Sequence, residues 1–162
     1  MRLQMFQLWK ARRGRKSILA TLAPFIEGSE ARLGRIPATA WHNAYVLGFL
    51  SLLASLEARI TLEGSLSSLA LGLIQAETIA ALSGESASVH GEEILTLSME
   101  DDPQFLSGCN QAVSFHAALQ RSYRAFVEPG RSAEWKSDMP YLQDDLDALW
   151  REMFEEKVMS LS

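Results

Sequence analysis

The residues best equipped for chemistry in this 162-residue chain are three histidines, one cysteine and scattered carboxylates. His116 falls in a run (Phe105, Cys109, Ala112, His116, Leu119, Tyr123, Phe126) whose apolar positions recur at alternating four- and three-residue spacing, the seam of a helix. His42 opens an uncharged stretch, flanked by Trp41, Asn43 and Tyr45. If both seams turn inward, a pocket forms between the two helices, lined by Trp41, His42, Tyr45, Cys109, His116 and Tyr123. Its chemistry would be an imidazole base beside a thiol. Yet Cys109 and His116 stand two helical turns apart, about 10 Å along the axis and too far for a nucleophile–base hydrogen bond. The competing reading makes His116 a core histidine bonded to a carbonyl and Cys109 an inert buried thiol. No residue is assigned as catalytic.

His90-Gly91-Glu92-Glu93 offers an imidazole and two carboxylates within four residues. A metal would need further ligands from elsewhere, and the Glu-x-x-His spacing of di-iron bundles does not occur. Glu92 and Glu93 read instead as acids favourable to a helix start, so neither metal nor cofactor is expected. Ile79 to Val89 resembles a helix-turn-helix corner, but its second helix would carry Glu92 and Glu93 and no base. That is the wrong sign for phosphates, and sequence-specific nucleic acid binding is not expected. Gly-rich phosphate loops, Gly-x-Ser-x-Gly, Cys-x-x-Cys and His-Glu-x-x-His are absent from the sequence.

The elements that must position these residues centre on Ala38–Leu56, nineteen residues without Asp, Glu, Lys or Arg. Trp41, Tyr45, Phe49, Leu52, Leu53, Leu56 and Ile60 share one helical face; Ala40, Ala44, Gly48, Ser51, Ser55 and Ala58 fall opposite. Large side chains on one side and small ones on the other predict a helix packed on both faces, opened by Pro37 at its first turn. A further helix starts near Ser65 and stops at Gly84, with Leu62, Leu66, Leu69, Leu73, Ala76 and Ala80 as its seam. Residues 85–99 read as a helix capped by Ser88, although Leu95 to Met99 alternates like a strand. Asp102-Pro103 is a helix start and Pro129-Gly130 its end; Asp138 before Pro140 repeats the start signal. The last helix turns Leu142, Leu146, Leu149, Trp150, Met153 and Phe154 inward. The expected fold is all-α: one domain over 1–162, a bundle of five to six helices around a central apolar helix at about 38–60.

Residues 1–16 form a basic, apolar N-terminal arm with Lys10, Arg12, Arg13, Arg15 and Lys16 following Met5, Phe6, Leu8 and Trp9. Residues 1–36 carry eight bases against two acids, whereas the rest carries seven against eighteen. The arm is expected either to lie on the chain's own acidic last helix or to meet an anionic membrane surface. Helix breaks are expected at Glu27-Gly28-Ser29 and at Leu33-Gly34. The single cysteine forms no intrachain disulfide, which favours a reducing cytoplasm. The surplus of apolar helix surface points to association, as a homodimer or with a protein partner, rather than to catalysis. A small-ligand pocket between helices 38–60 and 103–127 and a peripheral membrane adaptor remain the alternatives.

Overall fold

The computed structural model describes residues 2–62, 64–127 and 144–161. Every regular element among them is helical: α1 (Arg2–Leu33), a 3-10 turn (Ala38–His42), α2 (Ala44–Thr61), α3 (Ser68–Ser83), α4 (Ala87–Met99) and α5 (Pro103–Val127). A last helix, α6, covers 144–159 and contains a π turn at Arg151–Glu155. Pro129-Gly130, the Asp138-Pro140 start and Leu142 lie outside the described residues. The all-α bundle is as expected, and Ala87–Met99 is helix rather than strand.

At the centre, α2 is flanked by α5 and α3, while α1 packs across α3 and along α2. Its small face lets α5 in to backbone contact. A Cβ on Gly48 would lie 2.1 Å from the Phe105 carbonyl oxygen, and one on Gly108 would lie 2.1 Å from that of Tyr45. Further along, Ser55 accepts a hydrogen bond from Gln75 of α3 (2.7 Å). By length and composition α2 could cross a membrane, but 67% of it is buried within the bundle, as in the core helix of a folded domain.

The large face of α2 enters an aromatic cluster drawn from four helices. Trp150 lies 5.0 Å from Phe25, 5.4 Å from Phe115, 5.7 Å from Phe49 and 4.6 Å from Phe154 between ring centroids. These spacings are those of favourable offset and edge-on pairs. A buried polar chain runs beside it. Trp150 Nε1 donates to Ser29 Oγ (2.8 Å), Ser29 Oγ donates to Glu155 Oε1 (2.8 Å), and Arg32 Nε donates to the same oxygen (2.9 Å). In a π turn residues i and i+5 stack, so the widened Arg151–Glu155 turn brings Glu155 round to the side of Trp150.

Local boundaries differ from expectation in four places. In α4 the cap position is Ser86, and Ser88, the expected cap, lies inside the helix. α1 continues through Pro24 and Gly28 to Leu33, without the break expected at Glu27–Ser29. The buried stripe Ile18, Leu22, Ile26, Ser29 carries across it, and tertiary contacts override the local breakers. The central segment is two elements: Pro37 precedes the 3-10 turn, and Asn43 starts α2 by accepting from the N–H groups of Tyr45 (3.0 Å) and Val46 (3.2 Å). Ser67, not Ser65, caps α3, accepting from Ala70 N–H (3.1 Å). Its buried face then runs through Ala70, Ile74 and Ile79, and Leu69 is left exposed. Asp102 caps α5 as expected, accepting from Gln104 and Phe105 N–H at 2.9 Å.

Gly108→Ala should cost about 3 kcal/mol of unfolding free energy in urea titration, the upper end for overpacking, because the added methyl meets backbone rather than a movable side chain. Gly72 of α3 has nothing within 4 Å of a Cβ, so Gly72→Ala should be neutral or gain up to about 1 kcal/mol. Burial pushes the Glu155 carboxyl up, but hydrogen bonds from Arg32 and Ser29 and the Arg32 charge outweigh it and hold the group below the usual carboxylate value. A depressed folded-state value adds stability above the unfolded value, and that stability is lost as pH falls through the folded one. Glu155→Gln should therefore cost about 1–3 kcal/mol at neutral pH, and the gap to wild type should close in acid melts below the ordinary carboxylate range.

Candidate functional site

The densest group of chemically capable side chains gathers where three connections meet. Asn43 is extended (φ −72°, ψ 131°) and ends the 3-10 turn, so His42 is presented beside the start of α2 rather than within it. Gly84 takes the left-handed conformation (φ 76°) at the end of α3, its N–H bonded to the Ala80 carbonyl (2.9 Å). Only a residue without Cβ adopts that cap cheaply. The reversal returns Glu85 towards His42. The first turns of α4 then add His90 and Glu93, three apart on one helical face.

His42 Nε2 lies 2.6 Å from Glu85 Oε2 and Nδ1 donates to Glu93 Oε1 (2.7 Å). The His42 ring stacks on that of His90, centroids 5.3 Å apart and planes 25° apart. His90 is wholly buried; its Nε2 lies 3.1 Å from Ser83 Oγ and 3.8 Å from Glu85 Oε2. The hydrogen bond to Glu93 raises the His42 pKa above the ordinary imidazole value against partial burial, and the charges of Glu93 and Glu85 add to the rise. Burial pushes His90 the other way, helped by the neighbouring His42 and opposed by Glu93 and Glu85. The pair thus holds one imidazole that favours its cation and one that favours its neutral form. A groove of about 510 Å³ adjoins it, walled by Arg35, Ile36, Pro37, Trp41, Ser83 and Glu85.

The six residues expected to line one pocket do not surround a common cavity. Trp41 and His42 belong to the groove and the histidine pair. Tyr45 is buried and donates its hydroxyl to the Met153 carbonyl (2.7 Å), with Lys157 5.1 Å above its ring. Cys109 Sγ lies 3.5 Å from the Gly48 carbonyl, and burial pushes its thiol pKa up, away from the reactive thiolate. His116 Nε2 approaches Glu57 Oε1 at 3.1 Å, a charge contact without hydrogen-bond alignment. Tyr123 is 63% exposed. His42 and Glu57 bracket α2, roughly 20 Å apart along its axis, so the two histidines cannot share a site. The partner of His42 is His90, in a segment where the sequence shows an imidazole and carboxylates but not the ligands that complete them.

The basic patch is placed on α1. Arg15 pairs with Glu77 of α3 (3.2 Å), and the acidic last helix is met further along by Arg32. Lys10 lies 4.9 Å from the Phe6 ring and the Arg13 guanidinium 5.6 Å from the Trp9 ring. Arg12 and Lys16 are exposed beside them.

The chain matches no known protein family model, no curated protein and no solved structure.

Because His42 and His116 lie at separate sites, the stability changes of His42→Ala and His116→Ala should add to within about 0.5 kcal/mol in the double variant, measured by denaturant titration. Coupling well beyond that would show that the two imidazoles communicate through the core.

Proposed function

We propose that the protein is a non-catalytic docking protein that lays the outer face of the first half of α1 on an anionic membrane surface. One observation carries the reading: aromatic and basic side chains share that outward face, and no acid precedes Glu27. Phe6 and Trp9 stack 6.1 Å apart and are both about half exposed, Met5 is 67% exposed, and Arg12, Arg13 and Lys16 surround them. Amphipathic rings beside bases match the headgroup region, where rings take the interfacial depth and cations meet lipid phosphates. The central helix is covered within the single chain, so its apolar surface supplies no motive for a dimer. A symmetric dimer through α1 would also set this cation cluster against its own copy. Anionic lipid is richest on the cytoplasmic leaflet, which suits a chain whose one cysteine is a free thiol.

Co-sedimentation with vesicles checks this. The protein should bind phosphatidylserine-containing vesicles and not phosphatidylcholine alone, and raised salt should release it. Arg12→Ala, Arg13→Ala and Lys16→Ala together should weaken binding about a hundredfold, at about 1 kcal/mol per cation near the surface. Phe6→Ser with Trp9→Ser should abolish it while leaving the thermal melt unchanged. Failure to bind anionic vesicles would overturn the proposal.

A further inference from the structure

We infer that His42, Glu85 and His90 form a binding site for a divalent transition-metal ion of the Zn²⁺ class, with Glu93 as the carboxylate that orients His42. One ligand atom from each of the three lies within 4.8 Å of the other two. Zn²⁺ takes imidazole nitrogen and carboxylate oxygen at about 2.0–2.2 Å, which sets neighbouring ligand atoms about 3.3 Å apart. To reach that spacing His42 and Glu85 open from 2.6 Å, His90 closes on Glu85 from 3.8 Å, and the two stacked imidazoles, their ligand atoms now within 4.8 Å, turn until both nitrogens face one point. The ion takes the place of the proton on His42 Nε2, which leaves for solvent.

Two features separate this cluster from an ordinary surface ion-pair network. The first is its unfinished hydrogen bonding. His90 is completely buried, yet its Nδ1 has no hydrogen-bond partner, and neither has the buried Oε2 of Glu93. Buried polar atoms are normally satisfied, so this is not a completed hydrogen-bond network; the ion would meet His90 Nε2 in place of Ser83 Oγ, on the other side of the ring from Nδ1. The second is charge. Two carboxylates, Glu85 and Glu93, lie 2.6 and 2.7 Å from the His42 ring nitrogens, and a divalent ion balances their charge. Glu93 then has the role that carboxylates commonly play behind metal-bound histidines, accepting the Nδ1–H and fixing the tautomer. Two imidazoles and a carboxylate suit Zn²⁺ and its neighbours better than Mg²⁺ or Ca²⁺. Three protein ligands leave one position for water, on the side where Glu85 lines the groove. The site is independent of the α1 face: its loss would leave vesicle binding untouched, and the reverse.

Titration of the full-length, chelator-treated protein with Zn²⁺ alone, read by calorimetry and by thermal melting, tests the inference. One ion per chain should bind and raise the melting temperature, and Co²⁺ in its place should give the visible absorption of a nitrogen- and oxygen-ligated low-symmetry site. His42→Ala and Glu85→Gln, both at partly exposed positions, should fold as wild type and lose the binding. Glu93→Gln should weaken it about 10–100-fold, and His116→Ala should bind as wild type. Absence of stoichiometric binding by wild type, or equal binding by His42→Ala and Glu85→Gln, would overturn the assignment. Metal affinity that disappears with His116→Ala instead would equally overturn it.

Discussion

The constraint from which the rest of the bundle follows is the backbone contact between α2 and α5. Gly48 and Gly108 each admit the carbonyl of the opposite helix to a distance that any side chain would forbid. Two helices that approach this closely exclude side chains from the crossing point, so large residues must pack to its flanks. On one flank Phe49 and Phe115 join Trp150 and Phe154, and this cluster is what α1 and α6 close over. On the other, Ser51 and Ser55 keep α2 slender where α3 meets it, and their hydroxyls return to the helix's own carbonyls at 3.3 and 3.1 Å. Close packing of this kind converts many weak dispersion contacts into a single arrangement of the helices.

Much of this was legible in the sequence. The small face Gly48, Ser51, Ser55 and Ala58 announced a close neighbour, and the inward set Leu146, Trp150 and Phe154 is buried as its spacing implied. Asp102 and Gly84 were readable because capping chemistry is local. What periodicity does not contain is which neighbour a face meets. His116 and His42 both read as inward or half-inward, and nothing in either helix says that one faces Glu57 and the other His90. The five-residue 3-10 turn is also too short to leave a periodic signature. The persistence of α1 through Pro24 and Gly28 was invisible for a different reason: it is held by Ser29 and Arg32 reaching a carboxylate 126 and 123 positions away.

Two polar groups within one small fold invite comparison. In the chain from Trp150 through Ser29 to Glu155 and Arg32, the indole N–H, the serine hydroxyl and the guanidinium Nε all converge on defined acceptors, and a network satisfied in this way specifies where α6 docks. The histidine cluster has comparable density but not comparable closure, with a fully buried imidazole nitrogen left over. Stability alone accounts for the first and not for the second. The outer face of α1 differs from both, since its rings and bases contribute little to the core and are held outward by a helix whose other side is fully committed.

The widened turn in α6 bears on how this chain can change over generations. A residue gained or lost between Leu146 and Trp150 would turn Leu146 out of the core it fills. One lost between Trp150 and Glu155 would restore regular winding and leave the carboxylate on the indole's side, since i and i+4 share a face of an α-helix; one gained would carry it off Ser29 and away from Arg32. The five positions Arg151–Glu155 therefore act as a ruler. Their identities can drift where they face water, and their number can fall by one to a regular turn but not rise.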